Sequence, residues 1–90
     1  MGILFRSLDR GAQNTVSSVL LEPGGFETIF ALTDQSPRRT SDLREVLNRE
    51  GIVFDSISQR MGEAGLIQSS SDQTGLTLLG IEMGLLRWKR

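Results

Sequence analysis

Arg38, Arg39 and Arg44 fall within one short stretch, and guanidinium groups grouped this way are suited to holding phosphate oxygens. Ser41 lies between them at an expected helix start, where it serves as N-cap, with Asp42 and Glu45 near the positive end of the helix dipole. Backbone N–H groups at such a helix start can also be offered to a phosphate. The bland alternative for Arg38-Arg39, a pair of solvated turn charges, stays open. Other chemistries are excluded by composition. The chain has no His, no Cys and no Tyr, which removes disulfides, thiolate and imidazole catalysis and the usual zinc sites. Catalysis would have to rest on carboxylates, Lys89, arginines or hydroxyls. Asp42, Glu45, Asp55 and Glu63 supply carboxylates, but no pair has a spacing that marks a site. No enzyme, no metal and no cofactor are expected.

The elements that position these side chains belong to a chain of 90 residues and 9.9 kDa, the size of one small domain. A hydrophobic fraction of 38% supplies a core and excludes wholesale disorder. Ten Lys and Arg against eleven Asp and Glu leave a formal charge of −1. That excludes the strongly basic chain that is the simplest nucleic-acid signal, while leaving room for a local basic patch. No run of about 18 apolar residues exists, so no membrane-spanning helix and no membrane partner are expected. Met1-Gly2-Ile3-Leu4-Phe5 is interrupted by Arg6 and Asp9, well short of a signal-peptide core. Arg6 also stands where a myristoylation signal needs Ser or Thr. A cytoplasmic protein is the expectation.

Pro23-Gly24-Gly25 is the strongest break in the chain. It separates an N-terminal helical extension over 1–24 from a domain over 25–90. In the extension, Ile3, Leu4 and Leu8 are expected to line one helical turn, and Val16, Val19 and Leu20 predict a helix over about 12–21. Phe26, Ile29 and Phe30 predict a short buried helix ending near Asp34, before the turn at Ser36-Pro37. Arg38-Arg39-Thr40 reads as a short extended piece. Leu43, Val46 and Leu47 form the inward stripe of the next helix, which Gly51 closes. Phe54, Ile57, Met61 and Ala64 form the inward stripe of a helix over 53–64, ended by Gly65. Leu66-Ile67 reads as a strand, the polar run Ser69-Ser70-Ser71-Asp72-Gln73-Thr74-Gly75 as a turn, and Leu76-Thr77 as a brief return strand. The last helix carries two stripes, Leu78, Ile81, Leu85 and Trp88 on one and Leu79, Met83 and Leu86 on the other. The Gly80-x-x-x-Gly84 spacing inside it reads as incidental.

A helix pair joined by a short Gly-containing turn is a helix-turn-helix, and a hairpin after its second helix is a wing. The fold class is therefore mainly α with a small β-hairpin, a winged helix-turn-helix with extra N-terminal and C-terminal helices. Arg49-Glu50-Gly51-Ile52 followed by Ser58-Gln59-Arg60-Met61-Gly62-Glu63-Ala64-Gly65-Leu66-Ile67 resembles the ArsR/MarR/HxlR group of bacterial and archaeal winged-helix regulators. Leu76-Thr77-Leu78-Leu79-Gly80 resembles the segment that leaves the wing in that group, and Pro37-Arg38-Arg39-Thr40-Ser41-Asp42-Leu43 its short strand and second helix. The likeness spans about residues 26–84. It implies a dimer on double-stranded DNA, with the 53–64 helix in the major groove and Asp55, Ser56, Ser58, Gln59 and Arg60 facing the duplex. Guanidinium and amide groups such as those of Arg60 and Gln59 can make paired hydrogen bonds to base edges. Arg38, Arg39, Ser41 and Arg44 would hold phosphates.

Two features depart from such regulators. The wing from 69 to 75 has no Lys or Arg and contains Asp72, and residues 51–76 carry Arg60 against Asp55, Glu63 and Asp72. Attraction to phosphate is left to the segment 38–49 and the tail Arg87-Trp88-Lys89-Arg90, itself read first as a favourable charge set at a helix C-terminus. These features motivate an alternative, a winged-helix protein-interaction or dimerisation module that does not contact DNA. The double stripe of the last helix exceeds what one helix buries against a small domain. Packing on the N-terminal segment is one way to cover it and a second copy of the chain is the other; a homodimer through the C-terminal and N-terminal helices is the expectation.

Overall fold

In the computed structural model, which describes residues 3–34 and 36–88 and all their side chains except those at 34 and 86–88, Asp9 starts the long N-terminal helix. Its carboxylate accepts the Ala12 N–H at 2.7 Å, filling one of the free donors at a helix start. Helix α1 (Ile3–Ser7) precedes this cap and α2 (Arg10–Leu21) follows it, with Val16, Val19 and Leu20 buried. Glu22-Pro23-Gly24 then turns the chain into α3 (Gly25–Asp34). Gly24 has φ +94°, and a Cβ there would stand 2.7 Å from Ile52 Cγ2, so the corner lies against the later turn at Ile52. Past the cis Ser36–Pro37 bond come strand β1 (Arg38–Arg39) and α4 (Thr40–Arg49). A turn at Gly51 leads to α5 (Phe54–Glu63). The hairpin β2 (Ile67–Ser70) and β3 (Gln73–Leu76) follows, and α6 (Leu78–Trp88) ends the described chain.

Among the described residues the molecule is mainly helical, with one three-stranded antiparallel sheet in the order β1-β3-β2. Arg38 pairs with Thr74 and Arg39 with Gln73, while Ile67 pairs with Leu76 and Ser70 with Gln73. One core joins Ile29 and Leu32 of α3, Leu43 and Leu47 of α4, Ile57 and Met61 of α5 and Leu66. Val16, Val19 and Leu20 belong to the same core, so the segments on either side of Pro23 meet in one apolar interior. Among the described residues no helix is long and apolar enough to cross a membrane.

Several sequence expectations are corrected here. Ser41 is not the N-cap of α4. The helix begins at Thr40, Arg39 holds the cap position without a side-chain hydrogen bond, and Ser41 is exposed in the first turn. The hairpin fixes that start instead: the Thr40 N–H donates to Asp72 O at 2.6 Å, and the Thr40 and Thr74 hydroxyls lie 2.8 Å apart. The polar run 69–75 is mostly strand, with only Ser71 and Asp72 turning. Backbone pairing holds it, Thr74 is buried, and Ser71 takes a positive φ of 55° at the bend. In α1 the buried side chain is Phe5, whereas Ile3 and Leu4 are exposed and Leu8 is half-buried.

The Gly80-x-x-x-Gly84 spacing is structural rather than incidental. A Cβ at Gly80 would collide with the Leu66 carbonyl, and one at Gly84 would stand 2.9 Å from Ile29 Cγ2. The two glycines let α6 lie directly on the hairpin entry and on α3. Of its two stripes, Leu79 and Met83 turn inward and are half-buried. Leu78, Ile81 and Leu85 face outward, 74%, 43% and 53% exposed. The side chains of Leu86, Arg87 and Trp88, and residues 89 and 90, lie outside the described parts, so the basic tail does too.

Glu82 on α6 explains how α1 is oriented. Its Oε1 accepts the Leu4 N–H at 3.0 Å and its Oε2 the Phe5 N–H at 2.8 Å, a cap supplied from a distant helix. Glu82→Ala is expected to cost about 1 kcal/mol, the usual worth of a cap, and to speed amide hydrogen exchange at Leu4 and Phe5. Unchanged exchange at those two amides would mean that Phe5 burial alone holds α1.

Candidate nucleic-acid interface

Helix α5 owes its orientation to Phe54, Ile57 and Met61, all buried. With 3.6 residues per turn, this turns Asp55, Ser56, Gln59 and Arg60 outward, and all four are exposed. Ser58 is half-buried on the flank. The Ser56 hydroxyl is turned back to Val53 O at 2.7 Å, closing the first turn of α5. Gln59 and Glu63 both stand opposite the buried stripe and are exposed.

Arg44 reaches across from α4 to α5. Its Nε and Nη2 both donate to Asp55 Oδ1, at 3.3 and 2.9 Å. Ser41, Arg44 and Asp55 together line a shallow hollow of about 400 Å³ between α4 and the start of α5, floored in part by Phe54 and the exposed Val53. Arg60 is drawn to the other flank of α5. Its Nη2 pairs with Glu22 Oε1 at 2.5 Å and donates to Ser56 O at 3.3 Å. Arg49 pairs with Glu45 along α4 at 3.0 Å. Arg39 is exposed on β1 and has no ion pair among the described residues. Arg38 is half-buried beside it, and its buried Nε has no hydrogen-bond partner.

The sequence-predicted residues therefore fall into two groups. Ser41, Arg44, Asp55, Ser56, Gln59 and Arg60 gather around the exposed face of α5, with the half-buried Ser58 at its edge. Arg38 and Arg39 sit on the edge strand of the sheet, paired to Thr74 and Gln73 of the hairpin. Glu22 was not singled out by sequence reasoning, because its partner lies on a helix far along the chain and only the α2–α3 corner brings them together. Among the described residues no cluster of three or more His, Cys, Asp or Glu side chains gathers to hold a metal. Comparison of the chain with protein-family models, curated proteins and solved structures gives no match.

Proposed function

We propose that the chain is a winged-helix protein of the ArsR/MarR/HxlR type that binds double-stranded DNA as a homodimer and regulates transcription. The observation that carries this reading is the exposed polar face of α5. A short glycine turn follows α4, a hairpin follows α5 directly, and the exposed face of α5 offers Gln59, with Arg60 held at its flank. A helix of this width fits the major groove, where an amide can pair with adenine. Arg39 at the sheet edge and Arg44 on α4 then serve as phosphate contacts, which fix register without reading sequence. A second copy covers the outward stripe of α6, where Leu78, Ile81 and Leu85 are exposed, uncharged and repeat at helical spacing, the kind of apolar face that a like copy can bury about a two-fold axis.

Fluorescence anisotropy with a labelled duplex from the upstream region of the coding sequence, beside a random duplex, tests the reading. Salt is titrated from about 50 to 200 mM, where phosphate contacts give a steep loss of affinity. Gln59→Ala is expected to cut discrimination between the two duplexes about tenfold, the worth of one paired base contact. Arg39→Ala is expected to weaken both complexes alike and to lower the salt slope by about one.

A second reading is favoured by the acidic hairpin turn at Asp72 and by the pairing of Arg44 and Arg60 with carboxylates. In it the same fold is a protein-interaction module. No salt-dependent duplex binding at the lowest salt would select that reading.

A further inference from the structure

Two guanidiniums beside the candidate reading helix are already occupied. Arg44 and Arg60 flank α5 on opposite sides, and each is held by one carboxylate, Asp55 and Glu22. The Glu22 contact is placed by the backbone. Its N–H donates to Val19 O at 3.2 Å, and the following Gly24 packs against Ile52 at the entrance to α5. Nη2 of Arg60 is shared between Glu22 and the Ser56 carbonyl, so the guanidinium is folded away from the outward face where Gln59 stands. Arg44 spends two donors on a single oxygen of Asp55.

We propose that Glu22 and Asp55 are positioning residues that set duplex affinity, by holding Arg60 and Arg44 in ion pairs that phosphate must displace. The inference rests on the DNA-binding reading given above. Solvent-exposed ion pairs of this kind are weak and screened by salt. A polyanion that brings phosphates to both flanks at once can therefore exchange each carboxylate for a phosphate oxygen, while a misaligned duplex or a lone anion displaces neither pair. The carboxylates lower non-specific attraction and leave each arginine beside its point of use.

Duplex titrations of the full chain, Glu22→Gln, Arg60→Ala and the Glu22→Gln/Arg60→Ala double variant test this, with thermal unfolding to verify the fold of each. Glu22→Gln is expected to tighten binding about tenfold at about 50 mM salt, since Arg60 then reaches phosphate without first giving up its carboxylate. In the Arg60→Ala background the same change is expected to give only about twofold, from removal of a negative charge alone. Asp55→Asn is expected to behave in the same way with and without Arg44. Equal gains in both backgrounds would overturn the proposal while leaving DNA binding intact. Failure of the wild-type chain, Glu22→Gln and Asp55→Asn all to bind would overturn the DNA-binding reading, and this proposal with it.

Discussion

Gly80→Ala lowers the stability of the fold by about 3 kcal/mol, as overpacking against an immovable neighbour does, and depresses the thermal midpoint by about 15 °C. The added methyl would run into the Leu66 carbonyl, with the Leu66 carbonyl carbon and Leu76 Cδ2 each 3.1 Å away. None of these can retreat cheaply. Leu66 N–H donates to Met61 O at 3.0 Å, and Leu66 O accepts the Thr77 N–H at 3.2 Å. Thr77 caps α6 through the Gly80 N–H at 3.0 Å, and its hydroxyl donates in turn to the Gly65 carbonyl. One methyl would thus disturb the exit of α5, the hairpin and the start of α6 together. Gly62→Ala is the matched comparison, since nothing lies within 4 Å of a Cβ there. It is expected to raise stability by about 0.5 kcal/mol through helix propensity and a stiffer unfolded chain. Equal midpoints for the two variants would show that α6 is free to shift away from Leu66.

The same contact marks the limit of what the sequence reveals. Helices α4 and α5 were legible because Leu43 with Leu47, and Phe54 with Ile57 and Met61, repeat at helical spacing and are all buried. The hairpin was legible only in part. Gln68, Ser69 and Ser70 show no apolar alternation because that stretch of β2 faces solvent, and its pairing runs through the backbone. Phe5 could not be chosen over Ile3 and Leu4, because a helix of five residues carries too little periodicity to fix its rotation, and Glu82 fixes it from another helix. Of the candidate interface, the outward order of Ser56, Gln59 and Arg60 follows from the buried stripe alone. The partners of the arginines do not. Arg44 and Asp55 come from neighbouring helices, but Arg60 meets Glu22 only because α2 and α3 fold the N-terminal segment onto the α5 entrance. Net charge was therefore a poor guide to the local field, since charges distant in sequence cancel in pairs.

On the proposed dimer, Leu78→Asp converts the protein to a monomer without harming the fold. Leu78 is 74% exposed in the single chain and opens α6, where a carboxylate is favoured by the helix dipole. The isolated protomer should therefore be as stable as the wild type, which thermal unfolding at low concentration can verify. In a two-fold dimer each substitution acts twice. Every copy loses the burial of one leucine, about 2 kcal/mol, and places a carboxylate against an apolar face. The summed cost of about 5 kcal/mol corresponds to a dimer more than a thousandfold weaker. Ile81 and Leu85 form one wall of a groove of about 320 Å³ against Leu32 and Thr33, so the surface next to Leu78 is recessed enough to receive a side chain from the second copy. Sedimentation over a concentration series should give a dimer for the wild type and a monomer for Leu78→Asp. Affinity for the upstream duplex should fall with it, because the two reading helices then bind independently and lose the effective concentration that linkage supplies. A wild-type chain that sediments as a monomer throughout would remove the second copy from α6, and a variant that still dimerises would move the interface to another face.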